Sequence, residues 1–126
     1  MEAVEANKKV LDKYSTYHYN RDGTLIVTDD WTDKGKITIP KQYKSFAVIE
    51  TIEIKKGVKY RNRTIYDSKG NMVRQVYSGP HANPKLHPYG KNGEHIHEYE
   101  WEGENIVNRI SREITDIERK ENADIL

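Results

Sequence analysis

The sequence predicts an α+β domain: an antiparallel sheet of four to five strands with an N-terminal helix and a C-terminal helix. Three features carry that expectation. Between positions 46 and 77, apolar and polar residues alternate and are broken by two turn sequences, the pattern of a strand meander. Residues 2–14 space Val4, Leu11 and Tyr14 for one helical face, with Val10 beside them. Thr115-Asp116-Ile117-Glu118 has the Ser/Thr-x-x-Glu form of a capping box, which opens a helix. At 126 residues the chain, 1–126, has the length of a single domain.

In order, the elements read as follows. The helix of 2–14 turns Lys8, Lys9 and Lys13 to water. Tyr17, His18 and Tyr19 follow it, then a turn at Asn20-Arg21-Asp22-Gly23. Residues 24–28 hold strong β formers and read as a short strand. After a loop at 29–35 comes a second short strand, 36–39, ended by Pro40, which suits the first position of a helical turn through Lys44. Phe46, Val48, Ile52 and Ile54 share a face that Glu50 interrupts, so that carboxylate is expected in the interior or in a groove. Lys55-Lys56-Gly57 turns the chain into 58–66, with Tyr60, Thr64 and Tyr66 on one side and Lys59, Arg61 and Arg63 on the other. A turn at 67–71 leads into 72–77, and 95–101 is the fourth strand. Residues 106–114 fit either a helix stripe of Ile106, Ile110 and Ile114 or, after a tight turn, a fifth strand. The region 24–114 is thus mostly antiparallel sheet, and 115–122 is the terminal helix.

The functional residues are expected in the loop 79–94 and the strand after it. The stretch from Gly79 to Trp101 holds four of the five histidines, His81, His87, His95 and His97, and three of the four prolines. Proline and glycine fix a loop's path, and imidazole is the side chain that titrates near neutral pH. On the strand, His95, His97, Tyr99 and Trp101 share one side, and Glu94, Ile96, Glu98 and Glu100 share the other, which the acids are expected to keep wet.

Several blocks together resemble a known family: Ile39-Pro40-Lys41-Gln42-Tyr43, Ala47-Val48-Ile49-Glu50, Arg63-Thr64-Ile65-Tyr66-Asp67-Ser68-Lys69-Gly70-Asn71, Gly79-Pro80-His81-Ala82-Asn83-Pro84-Lys85-Leu86-His87-Pro88-Tyr89-Gly90 and Gly93-Glu94-His95-Ile96-His97. They look like the toxin-like C-terminal domain of phage and prophage minor capsid (head-morphogenesis) proteins of Firmicutes, of the polymorphic-toxin class. The resemblance covers roughly residues 24–114, and its specific part is the His-Pro-x-Gly and Gly-x-His-x-His block. Many modules of that class are small nucleases, so the resemblance implies a nuclease, and by class analogy an inhibitor or immunity protein as partner.

The residues offer three chemistries. Metal-independent RNA cleavage needs a base for the 2′-hydroxyl, an acid for the leaving 5′-oxygen and cations for the added phosphate charge. His95 and His97 suit the first two roles, with His81 and His87 as further candidates. Arg63 or Lys85 would meet the phosphate, and Tyr99 or Tyr89 would orient it or stack on a base, with Asn83 and Arg61 as further substrate contacts. That reading takes no cofactor. In the alternative, His95 and His97 with His81 or His87 form a three-histidine site for zinc or another divalent metal with an open water position, and Glu50, Asp67 or the Asn83 carbonyl completes the set. In the third, the histidines tie the proline-rich loop to the sheet, and the domain is a phage structural or protein-binding module.

Composition bounds these readings. The absence of cysteine excludes disulfides, thiolate metal sites and a cysteine nucleophile. Net charge is +1, but residues 41–91 hold eleven Lys or Arg against three acids, and residues 94–124 ten acids against four Lys or Arg. A basic middle suits a polyanion such as nucleic acid, and the plainer reading is two solvated faces that partly neutralise each other. No apolar run approaches the ~20 residues of a membrane span and no signal-peptide core opens the chain. The expected location is cytoplasmic or virion-associated, with no membrane partner.

Overall fold

The computed structural model describes residues 11, 13–31, 37–79 and 89–126. Seven strands form one sheet: β1 (Tyr17–Tyr19), β2 (Leu25–Trp31), β3 (Val48–Lys55), β4 (Val58–Tyr66), β5 (Met72–Tyr77), β6 (His95–Glu102) and β7 (Asn105–Arg112). They lie side by side in chain order. All neighbours are antiparallel except β2 and β3, which run parallel. A parallel pair needs a long crossover, and the connection from β2 to β3, of which residues 37–47 are described, provides it.

This corrects the expected α+β architecture. The domain is a seven-stranded mixed sheet, and α1 (Asp116–Glu121) is the only helix among the elements described. The expected N-terminal helix falls largely outside the described residues. Of the strand expected at 36–39, the described residues 37–39 form no regular element, the helical turn expected from Pro40 to Lys44 is absent, and 106–114 is resolved as strand β7 with its following loop. Neither α1 nor any other described helix is long and apolar enough to cross a membrane.

Strand alternation gives the sheet two different faces. On the first, Leu25, Val27, Ile49, Tyr66 and Met72 form a core with Tyr14, and Leu11, Ile37, Ile39, Tyr43 and Ala47 pack over them. The hydroxyls buried there find carbonyls: Tyr14 donates to Thr38 O at 2.7 Å and Tyr66 to Pro40 O at 2.6 Å. These bonds fasten the crossover to the sheet.

On the second face, Val76 and Ile96 pack with Ile65, Ile114 and Ile125. The chain's last turns cover it. Thr115 caps α1, and the capping box with Glu118 closes in both directions. The Glu94–Glu100 side of β6, expected to be wet, is therefore covered at its start and wet only toward its end, where Glu100 is exposed. Ile96 is fully buried, Glu94 pairs with Arg119, and Glu98 pairs with Arg112.

Candidate functional site

The first face changes character toward β6 and β7. One cross-strand row runs Leu25, Ile49, Thr64, Gln75, His97, Ser111. It begins apolar and ends polar. The row on one side of it sets Tyr77 opposite His95, and the row on the other side sets Tyr99 opposite Arg109.

Gly90 and Gly93 shape the turn that delivers His95. Both have positive φ, and a Cβ on Gly90 would strike the Glu94 carboxylate. That carboxylate accepts from Lys91 N at 3.2 Å and Asn92 N at 2.8 Å. Burial alone would push its pKa up, but these backbone amides and Arg119 hold it below the usual carboxylate value. The turn then aims Gly93 O at His95 Nδ1, 2.7 Å away.

His95 and His97 are both fully buried, and their Nε2 atoms meet at 3.2 Å. Arg109 Nη2 lies 2.9 Å from His97 Nε2, and Ser111 Oγ lies 2.8 Å from His97 Nδ1. Tyr77 stacks on His95 with centroids 5.1 Å apart and meets His97 edge-on. Tyr77 and Tyr99 both donate to Gln75 Oε1, and Gln75 Nε2 donates to Thr64 Oγ1. Burial pushes the hydroxyl pKa of both tyrosines up, so they act as donors; for Tyr77 the Tyr99 hydroxyl adds to the rise, and for Tyr99 Arg109 opposes it.

These contacts constrain the protons. A carbonyl only accepts, so His95 carries its hydrogen on Nδ1. A guanidinium only donates, so His97 shows Arg109 a lone pair on Nε2 and keeps its own hydrogen on Nδ1, facing Ser111. With both rings neutral, two lone pairs would face each other across 3.2 Å. One added proton, resting on His95 Nε2, turns that contact into an N–H···N bond. A metal cation could fill the same place. Tetrahedral zinc with Zn–N of about 2.0–2.1 Å separates its ligand nitrogens by about 3.3 Å, and metal-bound histidines characteristically donate their other N–H as these do.

The remaining expected site residues divide clearly. Tyr99 lies beside the pair, and Tyr89 donates to Ser111 O at 3.1 Å with its ring 6.2 Å from His95. Arg61 and Arg63 lie on the opposite face. Their guanidinium groups hold Glu50, and Arg63 also pairs with Asp124. Glu50 is on that face too, and Asp67 accepts from the amides of Lys69 and Asn71 in its own turn. His81, Asn83, Lys85 and His87 lie outside the described residues. Among the described residues no three His, Cys, Asp or Glu side chains form a metal-binding group.

Arg109, Ser111, Gln75 and Tyr77 were not anticipated. For the first two a regular hairpin is no guide: continued in register from Glu102 opposite Asn105, it would set Asn108 opposite Tyr99 and Ile110 opposite His97. The bulge between Glu100 and Trp101 shifts the register by one residue and brings Arg109 opposite Tyr99 and Ser111 opposite His97. Comparison with protein-family models, curated proteins and solved structures finds no match to this chain.

Proposed function

We propose that the domain is a small toxin-like nuclease of phage or prophage origin that cleaves RNA by metal-independent acid–base catalysis through His95 and His97. The observation that carries the reading is the convergence of His95 and Arg109 on a single atom, His97 Nε2. It supports unlike protonation of the two rings, with His97 the base and His95 the acid. Two groups held in opposite protonation states are what proton transfer at both ends of a phosphodiester requires.

In this reading the substrate phosphate draws Arg109 off His97 Nε2 and opens the buried pair; the freed His97 Nε2 then takes the proton of the 2′-hydroxyl, whose oxygen attacks phosphorus. The P–O5′ bond breaks, and the leaving oxygen takes the proton from His95 Nε2. The pair then carries the same number of protons, now on His97, and a transfer across the N–H···N contact restores it. Arg109, exposed beside the buried pair, meets the phosphate and opposes its added charge. Arg61 and Arg63 have no part, because they face the other way.

The metal reading keeps one specific observation in its favour: both Nδ1 atoms are tied while both Nε2 atoms converge. Against it stands Arg109, a cation on the same nitrogen. The test is cleavage of total tRNA and messenger RNA by the purified chain in EDTA, beside His97→Ala and Arg109→Ala. Cleavage in EDTA that both variants lose supports the acid–base reading. Cleavage only after zinc, magnesium or manganese is added transfers the function to a metal. No cleavage under either condition overturns both and leaves the pair as architecture. An inhibitor protein is the partner expected of a toxin.

A further inference from the structure

The row that ends at His97 and Ser111 begins, on β1, at Tyr19, which is paired with Leu25. Tyr19 and Tyr17 point to the same face and are 46% and 41% exposed. The Tyr19 hydroxyl lies 3.3 Å from that of Tyr43, and the Lys44 ammonium sits 5.4 Å from the Tyr19 ring centroid and 5.5 Å from that of Tyr43. In the turn that follows, Phe46 is 74% exposed at φ 56. A bulky residue in the left-handed region is strained, and here the strain holds a bare phenyl ring in water. The turn is fastened by Phe46 N to Asp67 O and Ser45 Oγ to Ser68 O.

The exposed charge near Lys44 and Phe46 is mostly positive: Lys41, Lys44 and Lys69 are exposed on the crossover and on the turn it touches. The two acids near these rings are engaged locally: Asp67 has an oxygen on two backbone amides, and Asp29, beside Tyr17, accepts from Ser15 and Thr16. Exposed rings with Lys44 over two of them and further lysines on the same crossover and turn make a stacking surface for bases and an attractive one for phosphates.

We infer that Tyr17, Tyr19, Lys44 and Phe46 form a platform that binds single-stranded nucleic acid. Five strand spacings separate Tyr19 from His97, about 24 Å along the sheet. That span is within reach of a strand of about 4–16 nucleotides, the length that small single-strand-binding folds cover. The inference deepens the proposed function, since it names how the substrate is held, and rests on it only for the choice of RNA.

The test measures binding without turnover. Fluorescence anisotropy of a labelled oligo-deoxythymidylate of about twelve nucleotides suffices, because that strand lacks the 2′-hydroxyl and cannot be cleaved by the proposed route. The chain is expected to bind it, with a blunt duplex about tenfold weaker. Tyr19→Ala and Phe46→Gly should each weaken binding about tenfold. Lys44→Gln should lower the slope of log affinity against log salt by about 0.7. Glycine accepts the backbone angle of Phe46, so Phe46→Gly should melt no lower than the parent chain. Unchanged binding in both aromatic variants, no binding by the parent, or a lower melting point for Phe46→Gly would each overturn the platform. So would a parent dimer, seen by sedimentation, that Phe46→Gly dissolves, because the patch would then join two copies. Binding without RNA cleavage would leave the platform standing and the catalytic reading fallen; cleavage with no such binding would do the reverse.

Discussion

On the face covered by α1, buried acids meet arginines. Glu50, 2% exposed, lies between Arg61 and Arg63, and Glu118 takes Arg112 at 2.7 Å with Arg74 nearby. On the opposite side of the same strands, most polar groups are joined by neutral donors and acceptors: Thr64 to Gln75, Gln75 to two tyrosines, Ser111 to His97. The charged groups there meet neutral ones: Arg109 donates to His97, and the buried Glu53 accepts from Asn62. The difference concerns what a proton can do. Ion pairs lock charge in place over the working range of pH. The imidazole pair meets at a contact that one proton completes, so a proton can be held there and passed on.

The largest effect that separates the two faces is on turnover. His97→Ala is expected to lower RNA cleavage by about 10²–10⁴, the range for losing a positioned acid–base group. Arg63→Ala should leave the cleavage rate per folded molecule unchanged. A comparable loss in Arg63→Ala, with folding verified by circular dichroism, would erase the division between the faces.

Arg63→Ala should act on stability instead. It leaves Glu50 buried with Arg61 alone, whose side chain is 42% exposed, and removes the partner of Asp124. Removing one partner of a buried pair costs about 3–5 kcal/mol, whereas replacing both with apolar groups is often neutral. Arg63→Met combined with Glu50→Leu should therefore recover most of the loss in urea unfolding. If the double variant is as unstable as the single one, the ionic face is not the source of the cost.

Acid should loosen the ionic face. Arg112 is the chief cause that brings the Glu118 carboxyl down to about 2; burial opposes it, and the Thr115 amide and hydroxyl assist. A depressed carboxyl contributes stability that is present above its unfolded value of about 4.3 and is lost as pH falls through the folded one. The window is thus about pH 5 to 2, and the loss is about 3 kcal/mol at most. Glu118→Gln should be less stable at pH 7 and show a flatter decline over that window in pH-dependent melting.

How much of this was legible follows the same physics. The turns at 55–57 and 67–71 were readable because glycine and polar residues interrupt a period of two. Thr115 and Glu118 could be read because a capping box is local. Strand partners are not local. Nothing in residues 24–28 and 46–54 says that they pair in parallel, because the direction depends on where the crossover folds back. Ile106, Ile110 and Ile114 misled because a spacing of four satisfies a helix and also falls on one side of a strand. That ambiguity, with the bulge between Glu100 and Trp101 that shifts the register by one residue, hid Arg109 and Ser111. His95 and His97 were placed correctly on one side by alternation alone. Alternation also set Arg61 and Arg63 opposite Thr64, which should have separated them from a site on the histidine side. The burial of Glu94 and Ile96 could not be read, since it depends on a terminal segment returning across the sheet.

The smallest effect tests whether the faces are independent. In Thr115→Ala the Thr115 hydroxyl no longer accepts from Glu118 N or donates to Glu118 Oε1, bonds of 3.2 and 2.9 Å. The Thr115 amide still reaches Glu118 at 3.0 Å, and Arg112 is retained. The expected cost is that of an N-cap, about 1 kcal/mol. Because α1 packs on the ionic face, the change should not pass through the sheet. Imidazole proton and nitrogen resonances of His95 and His97 should stay in place in the folded variant. If they move together with the loss of the cap, the sheet couples its two faces, and the histidine pair is set partly by the helix behind it.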